Sequence, residues 1–183
     1  MRVIAGNLRG KTLYSVRGTD VRPTADRLRE SIFNILYGQI HNRTVLDLFS
    51  GTGALGIESL SRGADHAVFI DNNTAALSII KRNIESCALE KQSTVVRWDI
   101  SKNLHCLASL QKEFDLVLMD PPYNRGLLRP ALYHLHLSRL LTAGCRIVVE
   151  HSPLETVPED LTMYTCDDQR KYGHTRVTFL TYQ

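Results

Sequence analysis

The chain has 183 residues, 43% hydrophobic and 22% charged, with a formal net charge of +3. That length points to one domain and that composition to an ordinary globular protein; no apolar run reaches the length of a membrane span. The four cysteines, Cys87, Cys106, Cys145 and Cys166, include no C-x-x-C pair, so no metal site is expected.

The thiols read as those of a reducing compartment. Met1–Asn7 is too short and too polar for the core of a signal peptide, so a cytoplasmic location is expected. The charge is unevenly spread. Residues 1–43 carry eight basic side chains, among them Arg2, Arg9, Lys11, Arg17, Arg22, Arg27 and Arg29, against three acidic ones. The remaining residues are slightly acidic in sum. A basic quarter on an acidic body suggests an arm that meets phosphates.

In chain order, Arg2–Gly6 and Lys11–Tyr14 are short strand-like pieces joined by the turn residues Asn7–Gly10, and they predict a hairpin arm that must lean on the body. Arg22-Pro23-Thr24 opens a helix with Thr24 as N-cap, running to Tyr37 and stopped by Gly38. Leu28, Ile32, Ile35 and Leu36 should face the core, and Asp26, Arg29, Glu30 and Phe33 should form a charged face, either a salt-bridged surface or a lid.

From Thr44 strands and helices alternate. Strands are expected at Thr44–Phe49, His66–Asp71, Thr94–Trp98, Phe114–Met119 and Arg146–Glu150, and helices at Ala54–Ser61, Thr74–Cys87, Asn103–Leu110 and Leu127–Leu141. This predicts an α/β fold with a mostly parallel sheet and right-handed crossovers. Leu161–Cys166 and Thr175–Thr181, with Asp167–His174 between them, predict a closing antiparallel hairpin.

Four constellations carry chemistry. In Asp47–Gly56 a strand runs through glycines into a helix; Gly51, Gly53 and Gly56 satisfy G-x-G-x-x-G, and Asp71 lies 20 residues past Gly51. That pattern suits a nucleoside-containing cofactor, with Asp71 on a ribose hydroxyl. Asp47 would repel a diphosphate and attract a cationic methionyl group, which favours S-adenosylmethionine over a nicotinamide cofactor. Phe49 and Asn72 flank the same loops. Asp99 and Ile100 follow the third strand and could hold an adenine, by its amino group and its ring face respectively.

The third constellation is Asp120-Pro121-Pro122-Tyr123, at the end of a buried strand. Prolines cannot pair in a ladder, so the strand stops there. Asp120 and the Pro121 carbonyl can each accept one N–H of an amine on a base, aiming its lone pair at a methyl donor, while Tyr123 stacks on the ring. The fourth is the basic, aromatic turn Arg170–Thr175, which contains Tyr172 and His174.

These residues resemble the bacterial 16S rRNA (guanine(966)-N2)-methyltransferase family over nearly the full length. The carriers are Arg2–Gly6 with Arg9-Gly10, Arg22-Pro23-Thr24 through Asn34, Asp47–Gly53, Asp120–Tyr123 and Tyr172–Thr175. The resemblance implies a class I Rossmann-like methyltransferase with S-adenosylmethionine as donor and the small ribosomal subunit or its precursor as substrate. It implies an arm and lid helix over residues 1–43, packed on a methyltransferase domain over 44–183, in a monomer. Gly51, Gly53, Asp71, Asp99 and Asp120 would line the cofactor and transfer pocket. Arg2, Arg9, Lys11, Arg22, Thr24, Arg27, Arg29, Tyr123, Tyr172 and His174 would meet the RNA. The alternatives are a DNA adenine-N6 or cytosine-N4 methyltransferase, a nicotinamide-dependent oxidoreductase, and a catalytically dead RNA-binding module.

Overall fold

A computed structural model describes residues 1–15, 23–158 and 160–183, with the side chains of 23–25 left undescribed. The sheet strands are β1 Thr44–Leu48, β2 His66–Asp71, β3 Ser93–Arg97, β4 Phe114–Met119, β5 Leu141–His151, β6 Tyr164–Tyr172 and β7 Thr175–Tyr182. The helices are α1 Pro23–Ile35, α2 Ala54–Ser61, α3 Thr74–Ser86 and α4 Leu128–Ser138, with short 3₁₀ turns at Glu90–Gln92 and His105–Leu110.

The strands form one seven-stranded sheet in the order β3-β2-β1-β4-β5-β7-β6. β1 to β5 pair in parallel, and β7 is antiparallel to both β5 and β6. This is the mostly parallel sheet with a closing hairpin that the alternation predicts. The central strands are apolar on both faces because both are covered. One face carries Val45, Phe69, Leu118, Val148 and Phe179 under α1, α2, α3 and the N-terminal residues. The other carries Leu48, Ile70, Met119 and Val149 under α4 and the His105–Leu110 turn.

Several boundaries differ from the sequence expectation. The arm makes a single antiparallel pair, Arg2 with Thr12, rather than a ribbon. It is closed by Val3 N–H to the Lys11 carbonyl and Gly10 N–H to the Val3 carbonyl, each 2.9 Å. α1 begins at Pro23, which places Thr24 in its first turn instead of at the N-cap; a proline tolerates that position because its missing N–H would have no helical partner. Phe33 is fully buried beneath α2 rather than on a charged face, with the Arg62 guanidinium 4.9 Å from its ring centroid. β5 starts at Leu141, through a register shift against β4, and β6 continues to Tyr172, leaving the two-residue turn Gly173-His174. Arg17, Asp20 and Arg22 lie outside the described residues.

The arm is fixed by a buried carboxylate. Glu58, in the middle of α2 and fully buried, accepts the Ile4 N–H at 2.8 Å and the Ala5 N–H at 3.0 Å. It is paired with Arg62 at 2.7 Å and Arg29 at 3.7 Å. Gly6 lies so close to α2 that a Cβ there would sit 1.8 Å from the Ser61 carbonyl oxygen. Asn83 of α3 repeats the device. Its amide accepts the Tyr14 N–H at 2.7 Å and donates to the carbonyls of Tyr14 at 3.1 Å and Thr52 at 2.9 Å. A buried ion network broken on one side leaves unpaired groups, so Glu58→Ala is expected to cost about 3–5 kcal/mol in urea unfolding. A loss below about 1 kcal/mol would show that apolar contact alone holds the arm.

Candidate functional site

The carboxyl ends of the parallel strands bring the acids into one row. In sheet order they are Asp99 after β3, Asp71 on β2, Asp47 on β1, Asp120 after β4 and Glu150 on β5. Open α/β sheets bind ligands at this edge. The helix starts that face it soften the charge: the Asp47 carboxylate accepts the Gly56 N–H in the first turn of α2, at 2.9 Å.

The loop between β1 and α2 is built for close approach. Phe49 (φ 58°), Gly51 (φ 56°) and Gly53 (φ 77°) are left-handed. A Cβ at Gly56 would lie 2.3 Å from the Phe69 ring and 3.1 Å from Asp47 Oδ2, so only glycine lets α2 seat against β1 and β2. Asp71 stiffens the loop from the next strand. One of its oxygens accepts the Gly51 N–H and the other the Asn73 N–H, each at 2.9 Å. Asp47 is buried; burial pushes its carboxyl up to about 8, the Gly56 N–H holds it down, and Asp71 adds a further upward push.

Beside β2 and β3 opens a cavity of about 780 Å³ lined by Asn72, Asn73, Thr74, Trp98, Asp99 and Asn103, among others. Asp99 accepts the Ser101 hydroxyl at 2.6 Å, and this bond holds its carboxyl below its ordinary value. Ile100 points away from that cavity into the core, 2% exposed.

The turn after β4 is held from three strands. The Asp120 N–H donates to the Leu48 carbonyl at 3.4 Å, which keeps the turn beside the glycine loop. Pro121 is buried and Pro122 exposed. The Tyr123 hydroxyl donates to Glu150 Oε1 at 2.7 Å and lies 3.0 Å from Thr175 Oγ1. This last contact draws the β6–β7 turn, with half-buried Tyr172 and exposed His174, to the same place. Crowding by protein, then the charges of Glu150 and Asp47, push the Asp120 carboxyl well up. Water still reaches its surface at the mouth of the site, which tempers the push.

The arm residues divide. Arg2, Arg9 and Arg27 line a cavity of about 460 Å³ with Asp26 and Glu30, and Lys11 is exposed nearby in sequence. Arg29 is a correction: at 5% exposure it is locked to Asp26 at 3.2 Å and to the Arg2 carbonyl, so it braces the arm instead of meeting RNA. Arg22 and the Thr24 side chain lie outside the described residues. Among the described residues no cluster of three His, Cys, Asp or Glu could hold a metal, and no helix is long and apolar enough to cross a membrane. Sequence reading missed Glu150, although it ends the fifth strand in the same alternation that marks the other acids.

The family model described as conserved hypothetical protein 95 matches residues 1–181. Ribosomal RNA small subunit methyltransferase D of Haemophilus influenzae is 33% identical over 166 residues, covering 89% of this chain and 86% of that protein. The chain belongs to this methyltransferase family. YlbH of Bacillus subtilis, named provisionally as an rRNA methyltransferase, is 37% identical and covers 97% of this chain and 96% of its own length. A solved Escherichia coli protein, yhhF, described provisionally as a methyltransferase, superposes with a TM-score of 0.82 at 30% identity, over 100% of this chain and 98% of that one.

The raised Asp47 carboxyl has a consequence for stability. The native state binds this proton more tightly than the unfolded chain, so its contribution is fully present below pH 3.8 and is lost as pH rises to about 8. Asp47→Asn keeps an oxygen for the Gly56 N–H and has no such proton. Wild type is therefore expected to lose a few kcal/mol relative to Asp47→Asn between roughly pH 4 and pH 8, read by urea unfolding at several pH values. A difference that stays constant across that window contradicts the assignment.

Proposed function

We propose that the protein transfers a methyl group from S-adenosylmethionine to the N2 amine of a guanine in 16S rRNA, acting as a cytoplasmic monomer on the small ribosomal subunit or an assembly intermediate. The observation that carries this reading is the Asp120–Tyr123 turn, bonded through its first N–H to the end of β1 beside the glycine loop. Amine acceptors and a cofactor loop thus meet at one sheet edge. The family membership, with relatives named for small-subunit rRNA, supports the substrate.

S-adenosylmethionine supplies an electrophilic methyl on a cationic sulfur. The residues present fit it: the loop at Gly51 has open space and no side chain to block approach, Asp47 offers a carboxylate to a cation, and Asp71 and Asp99, at the next two strand ends, would take the ribose and the adenine. A buried acid at the first strand end suits a cation and disfavours a nicotinamide diphosphate.

The chain's own part is positioning. A guanine amine is a weak nucleophile because its lone pair is delocalised into the ring. Asp120 and the Pro121 carbonyl accept its two hydrogens, turn the lone pair toward the donor and stabilise the positive charge that develops on nitrogen. Tyr123 presents its ring to the base, with its hydroxyl anchored on Glu150 and Thr175. Arg2, Arg9, Lys11 and Arg27 offer charge to the RNA backbone.

Asp120 accepts best when ionised, and its carboxyl is raised, so turnover is expected to climb as pH rises through the acid range; a flat profile contradicts this role. Asp120→Ala is expected to lower kcat by about 100-fold or more while cofactor affinity, read by calorimetry, stays within a few-fold. The test of function is mass mapping of 16S rRNA from cells lacking the protein. One guanine should lack its methyl, restored by the wild-type gene and not by Asp120→Ala; full methylation without the protein contradicts the proposal.

A further inference from the structure

Glu150 is the acid of the row whose only part in the scheme above is to anchor the Tyr123 hydroxyl. It follows Val149 on β5, whose parallel partner Met119 immediately precedes Asp120, and its charge acts on the Asp120 carboxyl. Neighbouring strands lie about 4.8 Å apart. By strand alternation Glu150, paired with Val177, follows Val148 onto the face that carries the arm and α1 to α3. Glu150 Oε1 is taken by the Tyr123 hydroxyl at 2.7 Å. Oε2 has no hydrogen-bond partner among the described residues, and the half-buried side chain leaves it within reach of solvent. Burial pushes the Glu150 carboxyl up and the Tyr123 hydroxyl holds it down.

We propose that Glu150 reads the N1–H of the target guanine and thereby sets which base is methylated. The inference rests on the guanine reading above. Guanine presents two kinds of donor side by side, the N2 amine and the ring N1–H. Two adjacent carboxylates accept both. Adenine and cytosine also carry an exocyclic amine, but the ring nitrogen beside it is an acceptor. Opposite Glu150 that acceptor meets another acceptor, and the carboxylate oxygen that the base covers is left without a donor. A site that rejects a base in this way uses an unpaired polar group as its discriminating element. Asp120 thus selects for an amine, and Glu150 selects for the donor next to it. Tyr123 joins the two tasks, since the hydroxyl of the stacking ring fixes the orientation of the reading carboxylate.

The experiment compares small subunits reconstituted with 16S rRNA carrying either guanine or 2-aminopurine at the target position. Both bases carry the 2-amine, but 2-aminopurine has a bare acceptor at N1. Wild type is expected to favour guanine by about 100-fold in kcat/KM, the size of one hydrogen bond to a charged acceptor. In Glu150→Gln the amide oxygen still accepts from Tyr123, and the amide N–H can serve a bare N1. The preference should then fall below about tenfold, with cofactor affinity by calorimetry near wild type. A preference in Glu150→Gln equal to that of wild type overturns the inference. So does a wild-type ratio near one, which needs no variant to fold. Methylation of neither RNA by a wild-type protein that binds S-adenosylmethionine overturns the guanine reading itself, and the inference with it.

Discussion

The hydrogen bond from the Gly56 N–H to the Asp47 carboxylate, 2.9 Å long and buried, is the contact from which the rest of the molecule follows. It pins the start of α2 to the end of β1. It requires glycine at 56, because Phe69 fills the space a side chain would take. It also leaves a carboxyl in a place where its charge is costly until a cation arrives. The loop from Phe49 to Gly53 inherits its shape from that anchor, and Asp71 holds its other side through Gly51.

α2 then serves both halves of the protein. Its first turn holds the glycine loop, and its body, through Glu58 and Ser61, holds residues 4–8 of the arm. Asn83 adds a second tie, since one amide bonds the arm at Tyr14 and the loop at Thr52. Arg82 lies over the Tyr14 ring at 3.6 Å and strengthens the same junction. The basic arm is therefore continuous with the glycine loop, and under the proposed function RNA binding at the arm would be mechanically joined to methyl transfer at the sheet edge.

Much of this was legible in the sequence because α/β folds write their active edge in a regular way. Each apolar strand ends in the residue that reaches the edge, so Asp47, Asp71 and Asp120 could be read as neighbours before any strand was paired. Glu150 obeys the same rule and was passed over because no unusual motif follows it. Phe33 and Arg29 were misplaced for a different reason. Spacing along α1 shows which residues share a face, but not that Glu58, from another helix, waits beneath that face to pair with a buried guanidinium. The polar run Asp167–Lys171 reads as a loop because β6 is the exposed edge strand, where side chains need no apolar alternation. The antiparallel closure itself was readable from the strongly alternating Thr175–Thr181.

The central claim is that the edge of the sheet is arranged for a cationic methyl donor at Asp47. Calorimetry of S-adenosylmethionine binding near pH 7, in buffers of different ionisation enthalpy, tests it most directly. The account predicts a buffer-dependent heat from proton release, as the cation draws Asp47 into its ionised form, and loss of that dependence in Asp47→Asn. Binding heats that are the same in every buffer, or a proton release that survives in Asp47→Asn, would contradict it.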